Sequence, residues 1–259
     1  MTRTAFVRRR TPIVLAALAA VVALTGTGAV VAHAAQGRYR YDGHPTDETV
    51  ATRTVLFVGD SVLDQASGPL KALGTQRGNT LDIWAVPGAA ACDFLGGYKQ
   101  RLTTTKPDEV SFSFAGNATS ACMQKYLGGR PPGTLSQAQQ DAIARKYYLD
   151  LRSLVRTGTA QGVRTWLVLP VQNRAGTWHG QVTDELIVRM QQLDRDYPSA
   201  RIDSGPRDLL TPGGTFRATL RFGGVDHPLR YKDGIHLRLP YGSTLWAEAA
   251  LASTAQAPR

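Results

Sequence analysis

The chain has 259 residues, 42% hydrophobic and 19% charged, with 26 glycines and 14 prolines. This is enough apolar material for one sizeable core and excludes a disordered tail or a collagen-like repeat. No period of about 20 to 50 residues marks a solenoid or propeller, so one domain is expected. The formal net charge is +10, but four of those charges are Arg3, Arg8, Arg9 and Arg10, and without them it is +6. The other basic residues are scattered with no aromatic-interleaved stripe, so nucleic acid is not an expected partner. An anionic envelope polymer or membrane surface fits the excess as well, and a monomer is expected.

Residues 1–34 read as a basic n-region, an apolar run from Ile13 to Leu24, a Thr25-Gly26-Thr27-Gly28 break and a small-x-small site at Ala32-His33-Ala34. The pattern is that of a secretory signal cleaved after Ala34, or of an uncleaved membrane anchor. The Thr/Gly break keeps the uninterrupted apolar run within signal-peptide length and favours cleavage. Either way the folded part is expected outside the cytoplasm. Residues 35–52 read as a polar linker and 53–259 as the folded domain. Export makes Cys92 and Cys122 a disulfide candidate, the alternative being two buried thiols. On the chain-entropy model such a bridge stabilises by roughly 3 to 4 kcal/mol.

Short apolar runs then alternate with helix-like segments, the signature of βαβ units around a parallel sheet. Strands are predicted at Thr54–Val58, Leu81–Val86, Val110–Phe114, Arg164–Leu169 and Ala200–Ile202. Each is rich in Val, Ile, Leu, Phe or Trp, as strands buried on both faces should be. Helices are predicted at Val62–Gly74, Asp93–Thr103, Ser136–Thr157, Asp184–Tyr197 and Tyr241–Ala250, the third carrying Ala142, Leu149, Leu151 and Leu154 at helical spacing. Residues 204–232 fit neither pattern, apart from a hairpin strand within Thr215–Phe222, and Gly176–Gly180 reads as a loop.

The first strand runs into Asp60-Ser61 and directly into a helix. A serine there sits at the ligand-binding edge of an open α/β sheet, beside the positive end of a helix. It is either a nucleophile or simply the helix N-cap. Near the other end, Asp233-Gly234-Ile235-His236 spaces a carboxylate to reach one ring nitrogen and leaves the other free to take a serine proton. Gly88, after the second strand, and Asn117, after the third, fall on the same edge as Ser61. They offer a backbone N–H and a carboxamide NH₂ which, with the Ser61 N–H, make a three-donor oxyanion hole. Each has a bland reading as an ordinary turn residue. All four in this order on successive strand ends are much harder to obtain by accident.

The blocks VGDSVLDQ, Gly88, Asn117 and DGIH resemble those of the SGNH, or GDSL-type, serine hydrolases, over Val55 to about Leu245. The resemblance implies a flavodoxin-like three-layer α/β sandwich with a central five-stranded parallel sheet of order 2-1-3-4-5. It implies Ser61 as nucleophile, His236 as general base and acid, Asp233 as orienting carboxylate, and Ser61, Gly88 and Asn117 as oxyanion donors. The Cys92–Cys122 pairing is similar to that of exported actinobacterial members. The third block departs from the family's Gly-x-Asn-Asp, because Gly116 directly precedes Asn117 and Ala118 follows it.

Among other residues, His227 beside Asp226 is a competing base of poorer spacing. His179 and Trp178 either line the substrate site or are solvated. Asn117-Ala118-Thr119 matches a glycosylation acceptor at a place where modification is not expected. The histidines are dispersed, so no metal or other cofactor is expected. The reading is an exported carboxylic ester hydrolase acting on a small ester or an acylated carbohydrate or lipid. The alternatives are an O-acyltransferase or deacetylase of cell-envelope carbohydrate, and a non-catalytic envelope-binding module.

Overall fold

A computed structural model describes residues 52–126 and 133–255. The expected signal or anchor over 1–34, and the linker except its last residue, lie outside these. The described residues fall in two units, 52–126 with 133–220 and 226–255, and 221–225 at a hairpin turn. The first holds the five-stranded sheet, every described helix and the candidate site.

The five predicted strands form one parallel sheet: β1 (Thr54–Gly59), β2 (Thr80–Ala85), β3 (Glu109–Ser113), β4 (Arg164–Val168) and β5 (Ala200–Asp203), in the order β2-β1-β3-β4-β5. Central β1 shows why its sequence is apolar throughout: successive side chains point to opposite faces, and both faces are covered. Leu56 and Val58 join a core with Phe94, Phe112, Tyr147 and Leu186. Val55 and Phe57 join another with Leu63, Leu70, Trp246 and Leu251. The helices therefore form two layers. α1 (Ser61–Gln76) and α6 (Tyr241–Ala255) pack together on the second core, whereas α2 (Ala91–Thr105), α3 (Gln137–Thr159) and α4 (Trp178–Asp196) pack in sequence on the first. The three-layer sandwich is the expected one.

Three local readings are corrected. The expected hairpin strand is β6 (Thr219–Phe222), paired with β7 (Val225–Pro228), but the rest of 204–232 is not all irregular, because α5 (Gly205–Leu210) and a 3₁₀ turn at Pro212–Gly214 lie in it. Pro206 sits in the first turn of α5, where its missing N–H costs nothing. Trp178 and His179 belong not to a loop but to the first turn of α4, capped by Thr177, whose hydroxyl accepts from the Gly180 N–H. Leu149 is not on the core face of α3. It is 41% exposed; Leu151 and Leu154 are buried as expected, joined by Ile143 and Tyr147.

Cys92, in the first turn of α2, and Cys122 are disulfide-bonded, with Cα atoms 6.3 Å apart. The bridge ties the start of α2 to the segment following β3.

Candidate active site

Ser61, Gly88 and Asn117 emerge from one sheet edge because their strands are adjacent and in register. Gly59 pairs with Ala85 on one side and with Ser113 on the other. Gly59 allows the close approach of β1 to β3, since a Cβ there would lie 2.2 Å from the Ser113 carbonyl oxygen. Gly88 has φ +78°, which a side chain would disfavour.

Asp60 resolves whether Ser61 is a cap. Asp60 itself is the N-cap of α1, its Oδ1 accepting from the Val62 N–H at 3.0 Å. Ser61 is thus the first helical residue, with its hydroxyl released from capping. That hydroxyl lies 2.9 Å from Nε2 of His236, 175 residues away in sequence, and His236 Nδ1 lies 2.7 Å from Oδ2 of Asp233. The other Asp233 oxygen accepts from the backbone N–H groups of Ile235 and His236 at 2.8 and 3.1 Å. Burial works against the Asp233 charge, but these hydrogen bonds and the nearby imidazole outweigh it and hold its pKa below the ordinary value. An ionised Asp233 fixes the Nδ1–H tautomer of His236, leaving Nε2 to accept the Ser61 proton.

The loop carrying Asp233 and His236 is strapped in place by two arginines. Arg230, 4% exposed, donates from its guanidinium to the carbonyls of Ile235 and Gln172. Burial lowers its pKa to about 10 against the field of Asp233, so it remains a cation. Arg174 donates its backbone N–H to the Gly234 carbonyl at 3.0 Å and its guanidinium to the Lys232 carbonyl at 2.8 Å.

Asn117 is buried, and Nδ2 of its carboxamide lies 3.0 Å from Asp60 Oδ2 and 3.1 Å from the Ala89 carbonyl oxygen. Asp60 Oδ2 also accepts the Ala115 N–H at 2.6 Å. Fully enclosed, Asp60 has its pKa raised to about 6 by burial, against the pull of its backbone donors and of His236. Sequence reasoning missed both Asp60 and Arg230. An acid directly before a helix start was a visible capping signal, but their remaining partners are remote carboxamide and backbone groups.

His179 lies 2.9 Å from Asn117 Oδ1 and is buried, not solvated. His227, on β7, faces the Tyr241 ring at 4.2 Å between centroids.

No protein-family model matches the sequence, and no curated protein matches it. Solved structures do. An acetylxylan esterase from Geobacillus stearothermophilus, solved as a catalytic mutant, gives a TM-score of 0.54 at 15% identity over 79% of this chain and 95% of that one. The lipase/acylhydrolase of Enterococcus faecalis gives 0.52 at 15% identity over 79% and 96%. A GDSL-like lipase from Bacteroides thetaiotaomicron gives 0.50 at 12% identity over 86% and 98%. The fold is the SGNH hydrolase fold.

Proposed function

We propose that this protein is an exported serine hydrolase of the SGNH, or GDSL, type that cleaves carboxylic esters. The observation that supports it is the continuous line of hydrogen bonds from Ser61 through His236 to Asp233. Ser61 Oγ attacks the ester carbonyl carbon as its proton passes to His236 Nε2. The carbonyl π pair moves onto oxygen, and the Asp233 carboxylate stabilises the imidazolium. The oxyanion is received by the N–H groups of Ser61 and Gly88. Asn117 joins them by sharing a hydrogen that it otherwise gives to Ala89.

When the tetrahedral adduct collapses, the C–O bond to the alcohol breaks and His236 returns its proton to the departing oxygen. Water, deprotonated by the same imidazole, then releases the acyl group and restores the Ser61 hydroxyl. Export rests on the pattern in residues 1–34. Acetylated carbohydrate belongs among the substrates to be tried, since one neighbour of this fold is an acetylxylan esterase.

The test is a panel of chromogenic esters from acetyl to long-chain acyl, run on native protein and on Ser61→Ala. Turnover by the native protein is expected to vanish in the variant while its circular dichroism is retained. Equal turnover by a folded Ser61→Ala protein would end the proposal.

A further inference from the structure

The carboxamide of Asn117 is held at both ends, and chemistry decides which end is which. On one side stand two acceptors, Asp60 Oδ2 at 3.0 Å and the Ala89 carbonyl oxygen at 3.1 Å. A backbone carbonyl can only accept, so the group facing it is the NH₂. The opposite end, 2.9 Å from His179 Nε2, is then the carbonyl oxygen. Because that oxygen cannot donate, the proton between them resides on His179 Nε2.

Burial pushes the His179 pKa down to about 4, with the His236 charge adding to the effect, so the ring is neutral and holds one proton. Nδ1 is consequently bare, and among the described residues it has no hydrogen-bond partner. The ring is firmly mounted. It stands in the first turn of α4, against the Trp178 ring at 3.6 Å between centroids, and its main-chain oxygen accepts from the Thr183 hydroxyl at 2.8 Å. Asn117 is anchored too, since its own main-chain oxygen accepts from the buried Tyr147 hydroxyl at 2.8 Å.

We propose, on the ester-hydrolase reading above, that His179 is a positioning residue whose Nε2–H pins the Asn117 carboxamide with its NH₂ toward the loops carrying Ser61 and Gly88. Turned over, the carboxamide would set its oxygen against the Asp60 carboxylate and the Ala89 carbonyl, and no side-chain donor would face the developing oxyanion. His179 touches neither the nucleophile nor the reacting carbonyl. It acts through Asn117.

Two substitutions and one spectrum test this. His179→Leu removes the donor and leaves Asn117 Oδ1 unpaired. kcat is expected to fall about a hundredfold, the scale of a misplaced reacting group, with KM within about twofold. His179→Gln offers an amide N–H at similar reach and is expected to recover most of that loss. A folded His179→Leu protein with native kcat, a loss confined to KM, or a Gln variant no better than Leu would overturn the proposal.

Nitrogen-15 NMR of native protein labelled at histidine judges it without turnover or a variant. The His179 ring is expected as the neutral tautomer protonated at Nε2, and the opposite tautomer would overturn the assignment even if both variants failed to fold. Absence of turnover in native protein as well as in Ser61→Ala would defeat the ester-hydrolase reading and with it the reaction role. The spectrum would still decide how the carboxamide is held.

Discussion

Asp60, next in sequence to Ser61, and Asn117, 57 residues further on, meet side chain to side chain at 3.0 Å. The contact joins the loop after β1 to the loop after β3. Asp60 also caps α1 and accepts the Ala115 N–H, so one carboxylate serves three donors. Asp60→Ala should lose a helix cap and leave two buried N–H groups without partners. It is expected to cost about 2 to 4 kcal/mol in urea unfolding at pH 7, less than the sum of its parts because the buried charge goes too.

The buried pair Asp60 and His179 makes a prediction about acid stability. Asp60 binds its proton more tightly folded, at about 6, than at its ordinary 3.8. Its contribution is therefore fully present below about pH 4 and is lost as pH rises through 6. His179 is displaced the other way, from 6.5 to about 4, so its contribution is present above 6.5 and is lost as pH falls through 4. Each amounts to roughly 3 kcal/mol, and over this window the two nearly cancel. His179→Gln removes one side of the balance. Between pH 7 and 4.5 it should gain roughly 2 to 3 kcal/mol relative to native protein, read from urea midpoints at each pH.

Asp233→Asn keeps the shape of the His236 partner but removes the charge and favours the wrong imidazole tautomer. kcat is expected to fall about 10⁴-fold, with thermal unfolding within a few degrees of native. A variant that kept native kcat would show that the carboxylate is not needed to orient His236.

The Cys92–Cys122 bridge closes a loop that contains β3 and Asn117. Reduction, or replacement of both cysteines by alanine, is expected to cost about 3 kcal/mol of stability. Because Asn117 lies within that loop, kcat should drop before global unfolding begins. Activity and circular dichroism followed together in increasing reductant would show the two separating.

Central β1 was legible because a strand covered on both faces is apolar along nearly its whole length, and β2 to β5 through short runs of Val, Ile, Leu, Phe or Trp between turn residues, despite polar positions such as Asp82, Glu109 and Arg201. Ser61, Gly88 and Asn117 were legible as candidates through residue type and strand-end placement, and His236 through its spacing from Asp233. The start of α4 was not. Its cap, Thr177, stands beside Gly176 and is followed by Gly180, a run that reads as a loop until the Thr177 hydroxyl is seen to accept the Gly180 N–H. α5 was hidden by a Gly-Pro opening. The supports of the site were hidden for another reason: Asp60, His179 and Arg230 act through partners whose nearness exists only after folding.

The 175 positions between Ser61 and His236 bear on how such a chain is made. The Ser61 hydroxyl is synthesised 175 positions before the His236 imidazole, so a nascent chain that has not yet reached His236 holds the hydroxyl without its hydrogen-bond partner. On the ester-hydrolase proposal, cleavage would begin only once the segment carrying Asp233 and His236 has docked beside Ser61.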